Sequence, residues 1–201
     1  LEMLDQEPLS EVTSFDQPIA SGVNKRARTA EVFVFRCPVD QSEPTWRMGP
    51  PLSNLRIAGS NYVGAFGSRG WDEAAARRVG QTLRGDGVFS HNSSTRFVDI
   101  TDGISSTVLV GERASDAERN QHATWVGVVP EVENPIARVV ATGETIPATR
   151  PGQVRGFSSN HGTGAMFLFG DGRVLYVDGR IAGNIFSAVM SRAGGELAPG
   201  Y

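Results

Sequence analysis

An Asp-Gly pair, Asp171-Gly172, lies between two apolar runs in "MFLFGDGRVLYV", and no other feature restricts the fold of this chain so strongly. It predicts a two-residue type I′ turn. Both turn positions need positive φ, which glycine adopts freely and aspartate better than most residues. That turn pairs Phe169 with Val174 and Phe167 with Tyr176 on one face. It pairs Leu168 with Leu175 and Met166 with Val177 on the other. Both faces are then apolar, so each needs a cover. The expectation is a hairpin central in a sheet, with a helix over one face and loops over the other.

His161 precedes this hairpin, with nine residues between it and Asp171. At ~3.3 Å per extended residue the two stand roughly 25–30 Å apart. Only a sharp bend at 162–164 would let them share a metal or a proton. Structural roles are therefore expected for His161, Asp171 and Gly172: the histidine at a sheet end, the pair at a turn.

Other elements follow from periodicity and breakers. Residues 1–9 read as the end of a helix stopped by Pro8, and 23–30 as a short helix or turn. The run Val32-Phe33-Val34-Phe35 reads as a strand ended by the Cys37-Pro38 turn. The segment around Tyr62-Val63 reads as a short strand or irregular segment, and Phe97-Val98, 107–111 and "ATWVGVV" as further short strands, with Asp102-Gly103 as a turn. Residues 72–79 read as an Ala-rich helix ended by Gly80, and 181–191 as an amphipathic helix closed near Gly194. Residues 70–87 and 131–154, rich in Gly or Pro, read as surface insertions in a single domain spanning 1–201. Many short strands and few helices, with 24 Gly and 11 Pro, predict an α+β fold with an antiparallel sheet.

A net charge of −3 with interspersed signs argues against a nucleic-acid surface, which needs a basic stripe to release counterions. The stretch "NKRAR" at 24–28 is too short to serve and reads as the wet face of a helix. No apolar run approaches the ~18 residues of a membrane span. The lone Cys37 cannot form a disulfide within this chain, which leaves three readings. It is a small buried residue, a half-cystine with an outside partner, or a reactive thiol.

Candidate chemistry is sparse. Oxygen donors for calcium occur at Asp99, Asp102 and Glu112, and at Asp171 with Asp178, without the spacing of an EF-hand loop. There is no Gly-x-Ser-x-Gly elbow, His-Glu-x-x-His or phosphate loop, so no catalytic residues are assigned. His91 and His122 sit in polar contexts and are expected at the surface. Glu112-Arg113 is expected to pair its charges at a strand end.

Five stretches in order resemble a known family. They are "FVFRCPVD", "GSNYVGAFG", "DGVF…ITDGISSTVLVGER", "SSNHGTGAMFLFGDG" and "SRAGGE". Together they are similar to a large pseudopilin-like family expanded in planctomycetes and classed as a domain of unknown function. It has a prepilin-type N-terminal segment and a C-terminal His-x9-Asp-Gly signature, matched here by His161, Asp171 and Gly172. Gly170, Arg173 and Val39 depart mildly from the usual pattern.

The resemblance implies a type IV pilin-like architecture whose long N-terminal helix is missing from this chain, which begins near that family's Leu-Glu-Gln stretch. The missing helix would cover one apolar face of the hairpin and could carry a cysteine to pair with Cys37. The implied role is non-catalytic. The chain would be the soluble head of an exported, envelope or cell-surface subunit, related to type II secretion or type IV pilus assemblies. Its partners would be other pilin-like subunits or envelope proteins, with no membrane contact by this portion and no cofactor. The alternative is a periplasmic or surface binding module for a small solute or calcium.

Overall fold

A computed structural model describes residues 2–76, 82–147 and 154–195. Four short helices are α1 (Glu7–Glu11), α2 (Lys25–Arg28), α3 (Glu73–Ala76) and α4 (Gly183–Met190). Seven strands are β1 (Thr45–Arg47), β2 (Arg56–Ala58), β3 (Tyr62–Gly67), β4 (Val108–Glu112), β5 (Val140–Thr142), β6 (Gly164–Phe169) and β7 (Val174–Asp178). β1 and β2 form an antiparallel ribbon, and the main sheet runs β5-β3-β4-β6-β7. The fold is α+β, as expected, but the main sheet is mixed, because β5 joins β3 in parallel.

The hairpin is present with a longer turn. Phe169 N–H donates to Arg173 O at 2.9 Å and Gly172 N–H to Phe169 O at 3.0 Å, so residues 170–172 form a three-residue loop. Gly172 takes the left-handed position with φ +88°, as such loops require. The register is consequently Leu168 with Val174, Phe167 with Leu175 and Met166 with Tyr176. A slip of one residue moves every β7 side chain to the opposite face. Leu175 and Val177 therefore join the core, while Val174 and Tyr176 face outward. The hairpin is also not central: β7 is an edge strand.

The inner face of the sheet is built around three rings. Phe157, Phe167 and Phe186 meet edge-to-face with centroids 5.0, 5.6 and 6.2 Å apart. Phe186, Val189 and Met190 of α4 close this face over Val63, Ala65 and Val108. Gly111 makes the packing possible, since a Cβ there would lie about 2.5 Å from Phe167 and 2.6 Å from Phe157.

Several local expectations are overturned. Residues 33–35 form a 3-10 turn with Phe33 and Val34 exposed, and 97–99 form another, so neither is a strand. Their amides bond three residues back instead of to a neighbouring strand. "ATWVGVV" contributes only an isolated bridge, Ala123 to Ser60. Pro8 sits in the first turn of α1 and starts that helix, where its missing N–H costs nothing. The Ala-rich helix is described over Glu73–Ala76, and its expected end at Gly80 lies outside the described residues.

The stretches read as surface excursions are partly internal. In 70–87, Trp71, Ala76 and Leu83 bury against Phe66. In 131–154, Val132, Ala137 and Ala141 are buried and β5 joins the main sheet. Some of their glycines mark tight approaches: a Cβ on Gly87 would lie 2.6 Å from the Phe66 backbone.

Candidate functional site

At the Glu112 end of β4 the polar residues of four separate stretches meet. From "CPVD", Cys37 is buried and its N–H donates to Asn61 Oδ1 at 3.0 Å. Asn61, from "SNY", is 1% exposed and donates through Nδ2 to Asp40 Oδ2 at 2.6 Å. Asp40 also accepts the N–H groups of Ser42 and Ser115, at 2.9 and 2.8 Å. Burial pushes its carboxyl up, but the bonds from Ser42 and Ser115, with help from the Arg36 charge, outweigh it and hold the group below the usual range. Ser158 ties the next stretch to β4, its N–H donating to Glu112 O at 3.0 Å.

Three side chains converge in front of this frame. His161 Nε2 lies 3.2 Å from Cys37 Sγ and 3.2 Å from Glu112 Oε1. The sulfur, the carboxylate oxygen and the ring nitrogen all lie within 4.8 Å of one another. Glu112 is held from behind, since its Oε2 accepts the Met166 N–H at 2.7 Å. The His161 backbone is held by the Ser159 hydroxyl, which accepts its N–H at 3.1 Å and donates to Gly164 O at 2.6 Å. Glu112 is buried while the His161 side chain is one-third exposed, so the cluster opens to solvent on the imidazole side. Burial pushes the Cys37 thiol up, and the Glu112 carboxylate adds to that rise. Tyr62 borders the site and is raised by burial and by the same two groups.

Glu112 and Arg113 do not pair with each other. Arg113 is buried and donates to three carbonyls, Gly156 O from Nε at 3.0 Å, Ala137 O, and Val140 O at 3.4 Å. Burial, then the nearby Arg138, pulls its guanidinium below the usual value. His122, expected at the surface, is buried and stacked on Trp46 with ring centroids 5.0 Å apart.

The calcium candidates are held separately. Asp99 pairs with Arg96 at 2.9 Å, and Asp171 with Arg173 at 2.6 Å. Asp102 accepts the N–H groups of Gly194 and Gly195 at 2.7 and 2.9 Å. Asp178 pairs with Arg180 at 2.9 Å. Glu112 alone of the candidates enters a cluster of three metal-ligating side chains, the one cluster of that kind among the described residues. His161 and Asp171 stand at opposite ends of β6, so they share no site. Asn61 and Asp40 were legible only as members of motifs, not as site residues. The one usable signal was that they lie in "CPVD" and "SNY", two of the motifs that carry the family resemblance.

The family described as protein of unknown function (DUF1559) matches residues 1–182. The chain belongs to this family. No curated protein and no solved structure matches the chain. The DUF1559 match takes in Cys37, Asn61, Glu112 and His161 together with the Asp171-Gly172 turn, and ends before "SRAGGE".

Proposed function

We propose that this chain is the head of a non-catalytic, exported pilin-like subunit that acts through packing and assembly. One observation carries the reading. The inner face of the sheet is closed by α4, whereas the outer face carries an apolar row that is half-buried at Val110, Leu168 and Met166 and opens to solvent at the β7 edge. The register aligns Val110, Leu168 and Val174 across β4, β6 and β7, with Met166 and Tyr176 in the next row. Val174 and Tyr176 are 56% and 43% exposed on this edge. At the β3 end the row is closed by Phe89, which packs on Gly64.

Three adjacent strands span two spacings of about 4.8 Å, or roughly 10 Å, which is the width of one α-helix. A single apolar helix from the segment preceding Leu1 fits that strip. It is the occupant this reading commits to, in keeping with the pilin-like resemblance. The head then sits in the cell envelope or at the surface, beside other pilin-like subunits.

Val174→Lys with Tyr176→Glu tests the reading. Both positions are exposed, so the head should keep its melting temperature within a few degrees. The full-length protein should lose assembly, and its β6–β7 amides should lose protection from hydrogen exchange. Unchanged assembly and protection in the full-length double variant would overturn the proposal.

A further inference from the structure

We propose that Cys37, Glu112 and His161 form a binding site for a divalent transition-metal ion of the zinc class. The three donors come from distant parts of the chain, Cys37 and His161 being 124 positions apart. Each is fixed by its own hydrogen bond: the Cys37 backbone through Asn61, the His161 backbone through Ser159, and the Glu112 carboxylate through the Met166 N–H on its other oxygen.

The donor geometry separates a metal site from a proton relay. In a relay of nucleophile, imidazole and carboxylate, the two outer groups bond different ring nitrogens, so that the carboxylate orients the base. Here both outer groups lie on Nε2, at 3.2 Å each. Three donors facing one point are the arrangement of a coordination shell. A tetrahedral ion with ligand bonds of about 2.0–2.3 Å has ligand–ligand edges of roughly 3.3–3.8 Å. The two separations from Nε2 need to open by only a few tenths of an ångström, and the sulfur and carboxylate oxygen, no more than 4.8 Å apart, need to close by at most about 1 Å.

The donor types select the ion. A thiolate with an imidazole suits zinc and its first-row neighbours, whereas calcium and magnesium take shells of oxygen. Ion binding displaces the thiol proton to solvent, giving a metal–sulfur bond and one released proton. Glu112 supplies a buried negative charge, and the exposed side of His161 leaves a fourth position for water or for a group from a partner.

The test uses the purified chain, stripped with a chelator and titrated with zinc or cobalt(II). One equivalent should bind, raise the melting temperature and release a proton. Cobalt should give a thiolate-to-metal charge-transfer band, and calcium should do none of these. His161→Gln lies at the surface and should leave the apo fold intact. It should weaken zinc binding by more than the roughly 10–100-fold that loss of an outer-shell partner costs. Cys37→Ser should abolish the charge-transfer band. Failure of the wild-type chain to take up zinc or cobalt at micromolar protein, or unchanged affinity in His161→Gln, would overturn the proposal.

Discussion

At the scale of single residues, His122 has a consequence that can be measured. Its ring is buried against Trp46, and the Arg138 guanidinium lies 4.8 Å over the same indole. Burial, then the charge of Arg138, lowers the imidazole from its usual 6.5 to about 4. The unfolded chain therefore takes up a proton near pH 6.5 that the folded chain refuses until about pH 4. The stability contributed by the neutral ring is fully present above the upper value and is lost as pH falls to the lower one. Within that window the loss approaches about 1.4 kcal/mol per pH unit. His122→Phe keeps a flat ring on Trp46 and removes the titration. Urea denaturation at pH 7 and pH 4.5 should show a smaller acid loss in His122→Phe than in the wild-type chain; equal losses would contradict the assignment.

At the scale of elements, α4 is the piece that closes the core. Phe186 is fully buried and touches both other rings of the aromatic trio. Phe186→Ala should cost about 3–5 kcal/mol through lost burial and the cavity left behind. Phe33→Ala, at a ring 80% exposed, should change stability by less than about 0.5 kcal/mol. Denaturant midpoints of the two variants test the contrast directly.

The same pair shows what the sequence could and could not convey. The helix over 181–191 and strands β3, β4, β6 and β7 were legible as apolar runs bounded by turn residues, but the buried face of β7 was not, because the hairpin is apolar on both sides. Val32-Phe33-Val34-Phe35 looked equally apolar, yet only Val32 of the run is fully buried. Local i→i+3 bonds and the Cys37–Asn61 anchor decide its course, and periodicity carries neither. The turn lengthened by one residue because the Asp171 carboxylate accepts the Arg173 N–H at 3.0 Å, which stabilises the wider loop. The candidate site was visible only as separate motifs. Bringing Cys37, Glu112 and His161 together depends on strand pairing between distant segments, information that no single motif contains.

At the scale of the whole molecule, Arg113 joins parts that would otherwise meet only at their edges. It follows β4 in the middle of the sheet, and its guanidinium donates to Ala137, Val140 and Gly156. It thus clamps Ala137, Val140 and Gly156, and with them β5, onto the sheet. No carboxylate balances the buried charge among its described partners, so its worth lies in carbonyls satisfied rather than in an ion pair. Arg113→Met fills similar volume and removes the burial cost of the charge, which alone would stabilise the fold. It also leaves two buried carbonyls, Ala137 O and Gly156 O, without their donor, at about 1–3 kcal/mol each, and the part-buried Val140 O at less. The second effect outweighs the first. Arg113→Met should destabilise the fold by about 1–3 kcal/mol net, with hydrogen exchange rising first at Val140–Thr142 and later in β6. Uniform loss of protection across all five strands would mean that the clamp is not local. An unchanged melting temperature would mean that packing alone holds β5 to β3.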